Sequence, residues 1–158
     1  SLKKLKNTYL IFTGSNADPG GLKINKMIKS YVNKNKKKSI FINNLGQNLF
    51  HYILKRVDCI IGNSSSGVIE APSFNTPTIN LGKRQSGRIM CRSVININEN
   101  QKKIDYAIKK IYKKNYLESL KNQKKHYEKK NTSKKIIDEL EKFNTTSSAI
   151  KKFYDINL

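Results

Sequence analysis

No apolar run in this sequence approaches the ~20 residues of a membrane span, and no signal peptide is expected ahead of the first strand. Cysteine is scarce, with only Cys59 and Cys91. Two cysteines without metal-ligand spacing fit a reducing, cytoplasmic setting better than a disulfide framework. Cys59 follows Asp58 into a predicted buried strand and reads as a packed thiol. Histidine is as rare. His51 falls on a predicted outer helix and His126 among lysines, so neither is an evident general base. Acidic side chains number 11 against 32 basic ones. Among the basic residues arginine is the minority, and three of the four arginines (Arg84, Arg88, Arg92) lie within nine residues. That clustering matters because the planar guanidinium suits bidentate phosphate recognition.

What the chain does have is 158 residues with 37% apolar content, enough for an ordinary buried core. Its net charge of +21 resembles a nucleic-acid signal. The excess, however, is almost all lysine and is concentrated in residues 1–57 and 101–135, leaving 58–100 close to neutral. Lysines spread over predicted outer helices and loops are solvated faces first, and a nucleic-acid or anionic-surface contact is the alternative.

Short apolar runs alternate with helical stretches. Strands are predicted at 8–13, 39–42, 58–61, 77–80 and 94–97, and helices at about 22–35, 47–56 and 66–74. Leu22, Ile24, Ile28, Tyr31 and Val32 mark the buried side of the first helix. From residue 100 the period is purely helical. Ile104, Ala107, Ile108, Ile111 and Tyr112 form one stripe, and further helices are predicted at 116–129, 132–143 and 146–153. Alternating strands and helices indicate an α/β fold whose parallel sheet is covered on both faces, with ligands bound beyond the carboxyl ends of the strands.

One loop at that edge stands out. The strand Cys59-Ile60-Ile61 runs into Gly62-Asn63-Ser64-Ser65-Ser66-Gly67, and a helix carrying Glu70 follows. Three readings compete for it. A serine nucleophile would need the Gly-x-Ser-x-Gly elbow, but Ser64 has Gly62 before it and Ser66 after it, and no histidine partner is evident. A structural turn is the plain alternative, since Ser and Asn cap helices. An anion cradle is the third: small residues admit a ligand to the backbone, and the first N–H groups of a helix lack internal partners. Glu70 cannot hold a phosphate, yet it could accept hydrogen bonds from sugar hydroxyls, as the acidic residue of dinucleotide folds does. A surface position is its bland reading. Asn16-Ala17-Asp18-Pro19-Gly20-Gly21 is a turn on any reading, and the plain account of Asp18 is a cap for the helix that Pro19 starts.

The segments Gly62–Phe74 and Thr76–Arg88, with Asn16-Ala17-Asp18-Pro19-Gly20, resemble the UDP-N-acetylglucosamine 2-epimerase family over roughly residues 8–115. The Ser-Ser-Ser-Gly form is similar to its hydrolysing, sialic-acid-type branch. The resemblance implies a Rossmann-like UDP-binding domain at 1–115, the C-terminal half of a GT-B-like enzyme, with helices of 116–158 packing on it. It implies that Ser64 and Ser65, with the backbone of Ser66 and Gly67, hold the diphosphate. Glu70 would bind the ribose and Arg84 the phosphates, with Arg88 in support. Leu45 would meet uracil through its backbone, and Asn16 and Asp18 would lie near the sugar. No cofactor or metal is implied.

The departures are as informative. A family strand bearing a catalytic-region histidine would precede 8–13, and the half that supplies the acid and base carboxylates has no counterpart in these 158 residues. Ser15 stands where the family usually has proline. The expectation is therefore a nucleotide-binding half that is inactive alone, completed by a missing N-terminal domain in a homo-oligomeric, cytoplasmic enzyme acting on a UDP-sugar. A GT-B-type glycosyltransferase half and a basic nucleic-acid module are the alternatives.

Overall fold

Five short runs of β-branched and aromatic side chains form strands, as their propensity favours. They are β1 (Leu10–Thr13), β2 (Ser39–Ile42), β3 (Ile60–Gly62), β4 (Thr78–Leu81) and β5 (Val94–Ile97). The structure, a computed structural model, describes residues 1–15 and 19–143. Every strand pairing is parallel. Leu10 lies opposite Ser39 in the β1–β2 ladder, and Ile61, Ile79 and Ile95 are in register across β3, β4 and β5. The α/β class and the parallel pairing match the sequence pattern. The strands, however, divide into two hydrogen-bonded sheets, β1-β2 and β3-β4-β5, instead of one. Cover differs as well. Ile11 and Ile40 on the smaller sheet are each 39% exposed, whereas Thr78, Ile79 and Asn80 of the central strand β4 are all buried.

Among the described residues six α-helices accompany the strands: α1 (Gly21–Lys34), α2 (Gly46–Leu54), α3 (Ser66–Ile69), α4 (Gln101–Ile111), α5 (Lys114–Lys121) and α6 (Thr132–Lys142). The core centres on α4 against the three-stranded sheet, where Ala107, Ile108 and Ile111 pack with Ile79. Each of these buried isoleucines is worth about 1.5–3 kcal/mol over its exposed state. Asn100 starts α4, its side chain accepting from the N–H groups of Lys102 (2.9 Å) and Lys103 (3.3 Å). Tyr112, one residue past the last turn, falls outside the expected stripe and is 55% exposed.

Other differences have local causes. Leu22 is 89% exposed because Tyr31, nine residues on, lies half a turn out of phase with it. The expected helix 66–74 is a single α turn followed by a 3₁₀ turn over Ala71–Phe74. Pro72 lacks the N–H that would continue the ladder, and Asn75 closes the turn at φ 57°. The helix expected at 116–129 stops at Lys121. Beyond it the buried Gln123 turns inward, its side-chain oxygen accepting from Ser93 N–H at 2.9 Å. The tail helix expected at 146–153 lies outside the described residues. Contacts divide the chain into Ser1–Tyr127, which includes α5, and Glu128–Leu158, which contains α6.

Cys59 leads into β3 and Tyr116 lies near it at the core margin. Burial, reinforced by Asp58, pushes the Cys59 thiol from 9.0 up to about 12. Burial and then Cys59 push the Tyr116 phenol up to about 12, and its hydroxyl donates to Ser93 carbonyl at 3.0 Å. The folded chain thus holds both protons more tightly than the unfolded chain does. Their contribution is full below the unfolded values and fades as pH rises toward the folded ones. Urea midpoints measured from pH 8 to 11 should fall through that range, and Cys59→Ala should flatten part of the fall.

Helix α3 also sits unusually close to β4. A Cβ added at Gly67 would lie 2.7 Å from the Thr78 γ-methyl. Gly67→Ala should therefore cost about 1–3 kcal/mol in urea unfolding, the usual range for overpacking. Adding Thr78→Ser, which removes that methyl, should make the pair cost less than the sum of the two single changes.

Candidate functional site

The loop that leaves β3 is built almost wholly from its own backbone. Gly67 N–H donates to Ser64 carbonyl at 3.3 Å, and the N–H groups of Val68 and Ile69 donate to Ser65 carbonyl at 2.9 and 2.8 Å. The Ser64 hydroxyl turns back toward Ser66 N–H at 3.4 Å, and Ser65 makes no side-chain cap. The helix that follows is one turn long, so its dipole is small and the polarity of the loop rests on local N–H and hydroxyl groups. Gly67, read from sequence as room for a ligand, has a packing duty as well, since its bare α-carbon is what lets α3 approach Thr78.

The loop after β4 ties this turn down. Gln85, 3% exposed, donates its side-chain N–H to Asn63 carbonyl at 2.8 Å, and an Arg84 Nη reaches the same oxygen at 3.5 Å. The structure therefore brings Arg84 to the serine loop. Arg88 goes elsewhere. It lines a groove of about 410 Å³ with Asn80, Gly82, Lys83, Asn96 and Asn98, at the carboxyl ends of β4 and β5. Gly82 opens that loop at φ +73°, and its N–H donates to Ile97 carbonyl at 2.8 Å. A side chain at 82 would run into the Glu99 carboxylate.

Glu70 follows the last residue of α3, and its carboxylate lies 2.8 Å from His51 Nε2 on α2. Both side chains are about one-third exposed, at 35% and 32%. His51, which the sequence places on an outer helix, packs with ring centroids 5.1 Å from Phe74 and 6.1 Å from Phe50. Its hydrogen bond to Glu70 was missed, because nineteen residues separate the two and no motif links them. Gln85 was also missed, and its place between Arg84 and Ser86 carried no separate signal.

Leu45 caps α2, half-buried, with Asn44 Oδ1 accepting from Gly46 N–H at 2.8 Å beside it. Asn16 and Asp18 lie outside the described residues. Next to them, Ser15 N–H donates to Asn25 Oδ1 at 2.9 Å, and the Ser15 hydroxyl lies 2.8 Å from Gly21 carbonyl. A proline at 15 could not make the first of these bonds. Among the described residues no three His, Cys, Asp or Glu side chains come together as a metal site, and no helix is long and apolar enough to cross a membrane.

The family model described as UDP-N-acetylglucosamine 2-epimerase matches residues 1–141. A GDP/UDP-N,N'-diacetylbacillosamine 2-epimerase (hydrolyzing) from Campylobacter jejuni is 42% identical over 115 residues, covering 73% of this chain and 29% of that protein. Polysialic acid biosynthesis protein P7 of Escherichia coli is 31% identical over 153 residues, 96% of this chain and 39% of its own. A UDP-N,N'-diacetylbacillosamine 2-epimerase (hydrolyzing) from Legionella pneumophila is 36% identical over 91 residues, 58% of this chain and 24% of its own. The chain thus spans well under half the length of these relatives.

The Gln85 tie has a direct consequence. Gln85→Ala should leave the Asn63 carbonyl without its shortest partner, costing about 1 kcal/mol of stability. In hydrogen exchange, the amides of 64–69 should open faster than those of α4, which the change does not touch.

Proposed function

The chain belongs to the UDP-N-acetylglucosamine 2-epimerase family, and on that premise we propose that it is the C-terminal, nucleotide-binding half of a hydrolysing 2-epimerase acting on a UDP-linked N-acetylated sugar. The observation that carries the reading is the convergence on one loop: three serines and a glycine after β3, held from behind by Gln85 and Arg84, with Glu70 one turn further on. In this reading the diphosphate lies against Ser64, Ser65 and the backbone of Ser66 and Gly67. Arg84 supplies the matching charge, and Glu70 accepts from the ribose hydroxyls. Leu45 offers its backbone to the uracil, Asn16 and Asp18 lie toward the sugar, and Arg88 supports the phosphates from the neighbouring loop.

The chemistry of the complete enzyme follows from where charge develops. A base takes the proton at sugar C2 as the C1–O bond to UDP breaks, leaving a glycal, and water then adds across the double bond to give the 2-epimer. Electrons from the broken bond end on the β-phosphate. Hydrogen bonds from the serine loop and Arg84 grow stronger as that charge builds, which lowers the barrier to departure. The carboxylates that move the protons belong, in this reading, to the part of the enzyme beyond these 158 residues. Homo-oligomeric assembly and a cytoplasmic setting are part of the same proposal, and no cofactor enters it.

Calorimetric titration of the purified chain with UDP tests the reading. Binding should be measurable, and Glu70→Ala and Arg84→Ala should each weaken it about tenfold or more, the effect of losing a charged hydrogen bond worth ~1.5–3 kcal/mol. The chain alone should release no UDP from UDP-N-acetylglucosamine. Tight, salt-dependent duplex binding that survives both substitutions, or steady UDP release, would contradict it.

A further inference from the structure

Glu70 is poorly placed to hold itself still. It joins the one-turn α3 to the 3₁₀ turn that follows, with helical backbone and its N–H on Ser66 carbonyl at 3.0 Å, so the local chain fixes its Cα and leaves the carboxylate end to its neighbours. Its orientation must come from a donor on another element, and His51 is that donor, with Nε2 2.8 Å from Glu70 Oε2. The imidazole is itself fixed between Phe74 and Phe50. We propose that His51 is a positioning residue that clamps one Glu70 oxygen and thereby presents the other, Oε1, to the vicinal diol of a nucleoside diphosphate. This inference rests on the reading of Glu70 as the ribose acceptor.

The chemistry of the pair defines what His51 does. An ionised carboxylate only accepts, so the hydrogen lies on Nε2 and the bond forms whether the imidazole is neutral or charged. The required property is an N–H donor at that reach, not a positive charge. One Glu70 oxygen is then committed to protein and the other is left for hydroxyl donors. Both side chains are about one-third exposed, so the pair lies where a ligand can reach it.

Two substitutions separate donor from ring. His51→Phe keeps an aromatic ring between Phe50 and Phe74 and removes the donor, while His51→Gln removes the ring and keeps an amide N–H. Each variant, with wild type and Glu70→Ala, is titrated calorimetrically with UDP and with 2′,3′-dideoxy-UDP, and urea midpoints report folding. The inference expects His51→Phe to weaken UDP about tenfold, His51→Gln to bind UDP within about threefold of wild type, and dideoxy-UDP to bind wild type and His51→Phe alike. Equal UDP affinity in His51→Phe and wild type would overturn it. So would a parallel loss for both nucleotides, which would mark a merely structural role. If Glu70→Ala discriminates between the two nucleotides as strongly as wild type does, the ribose reading of Glu70 fails and this inference fails with it. If Glu70→Ala loses that discrimination and His51→Phe keeps it, the clamp alone is wrong.

Discussion

The carbonyl oxygen of Asn63 is the point on which the site depends. It lies just past β3, where the chain leaves the sheet and would otherwise be free to choose among turn conformations. A buried amide from Gln85 takes it at 2.8 Å and Arg84 approaches it from the same loop. A hydrogen bond of this kind contributes only about 1 kcal/mol net, yet breaking it leaves a buried donor stranded, so the asymmetry favours one loop geometry. The same contact couples two loops that follow neighbouring parallel strands, β3 and β4. The serines and Arg84 therefore keep their spacing as long as the β3–β4 ladder does.

Packing beneath the loop acts in the same direction. The absence of a side chain at Gly67 lets α3 rest on Thr78, and Thr78 belongs to the most buried strand. Support therefore differs across the site: β4 lies under the serine loop, whereas the Glu70 carboxylate is met from another helix. His51 reaches across from α2 to make that contact at 2.8 Å. The chain's large positive charge plays little part in this geometry, because residues 58–100 are close to neutral and the lysine excess lies in the flanking segments.

Much of this was legible in the residues. The strands were, because each is a short, mainly apolar run between turn formers, a pattern that holds for the buried β4 and for the half-covered β1 alike. The stripe of α4 was legible because Ile104, Ala107, Ile108 and Ile111 repeat at helical spacing. Helix ends were less so. Pro72 permits either a helix start or a stop, and Asn122 ends α5 because Gln123 finds a better partner in Ser93, a contact thirty residues away. Glu70 and Arg84 could be named from a contiguous motif. Gln85 and His51 could not, since their roles arise from contacts across 22 and 19 residues that no local pattern encodes. The division of the strands into two sheets was equally invisible, because each strand's composition is the same whether or not its second edge is paired.

The most direct measurement is a crystal structure of the chain soaked with UDP. The account predicts diphosphate density against Asn63–Gly67 and Arg84, with the ribose hydroxyls at Glu70 and the His51–Glu70 contact preserved. Nucleotide density in the groove lined by Arg88 and Asn96 instead, or a ribose turned away from Glu70, would contradict it.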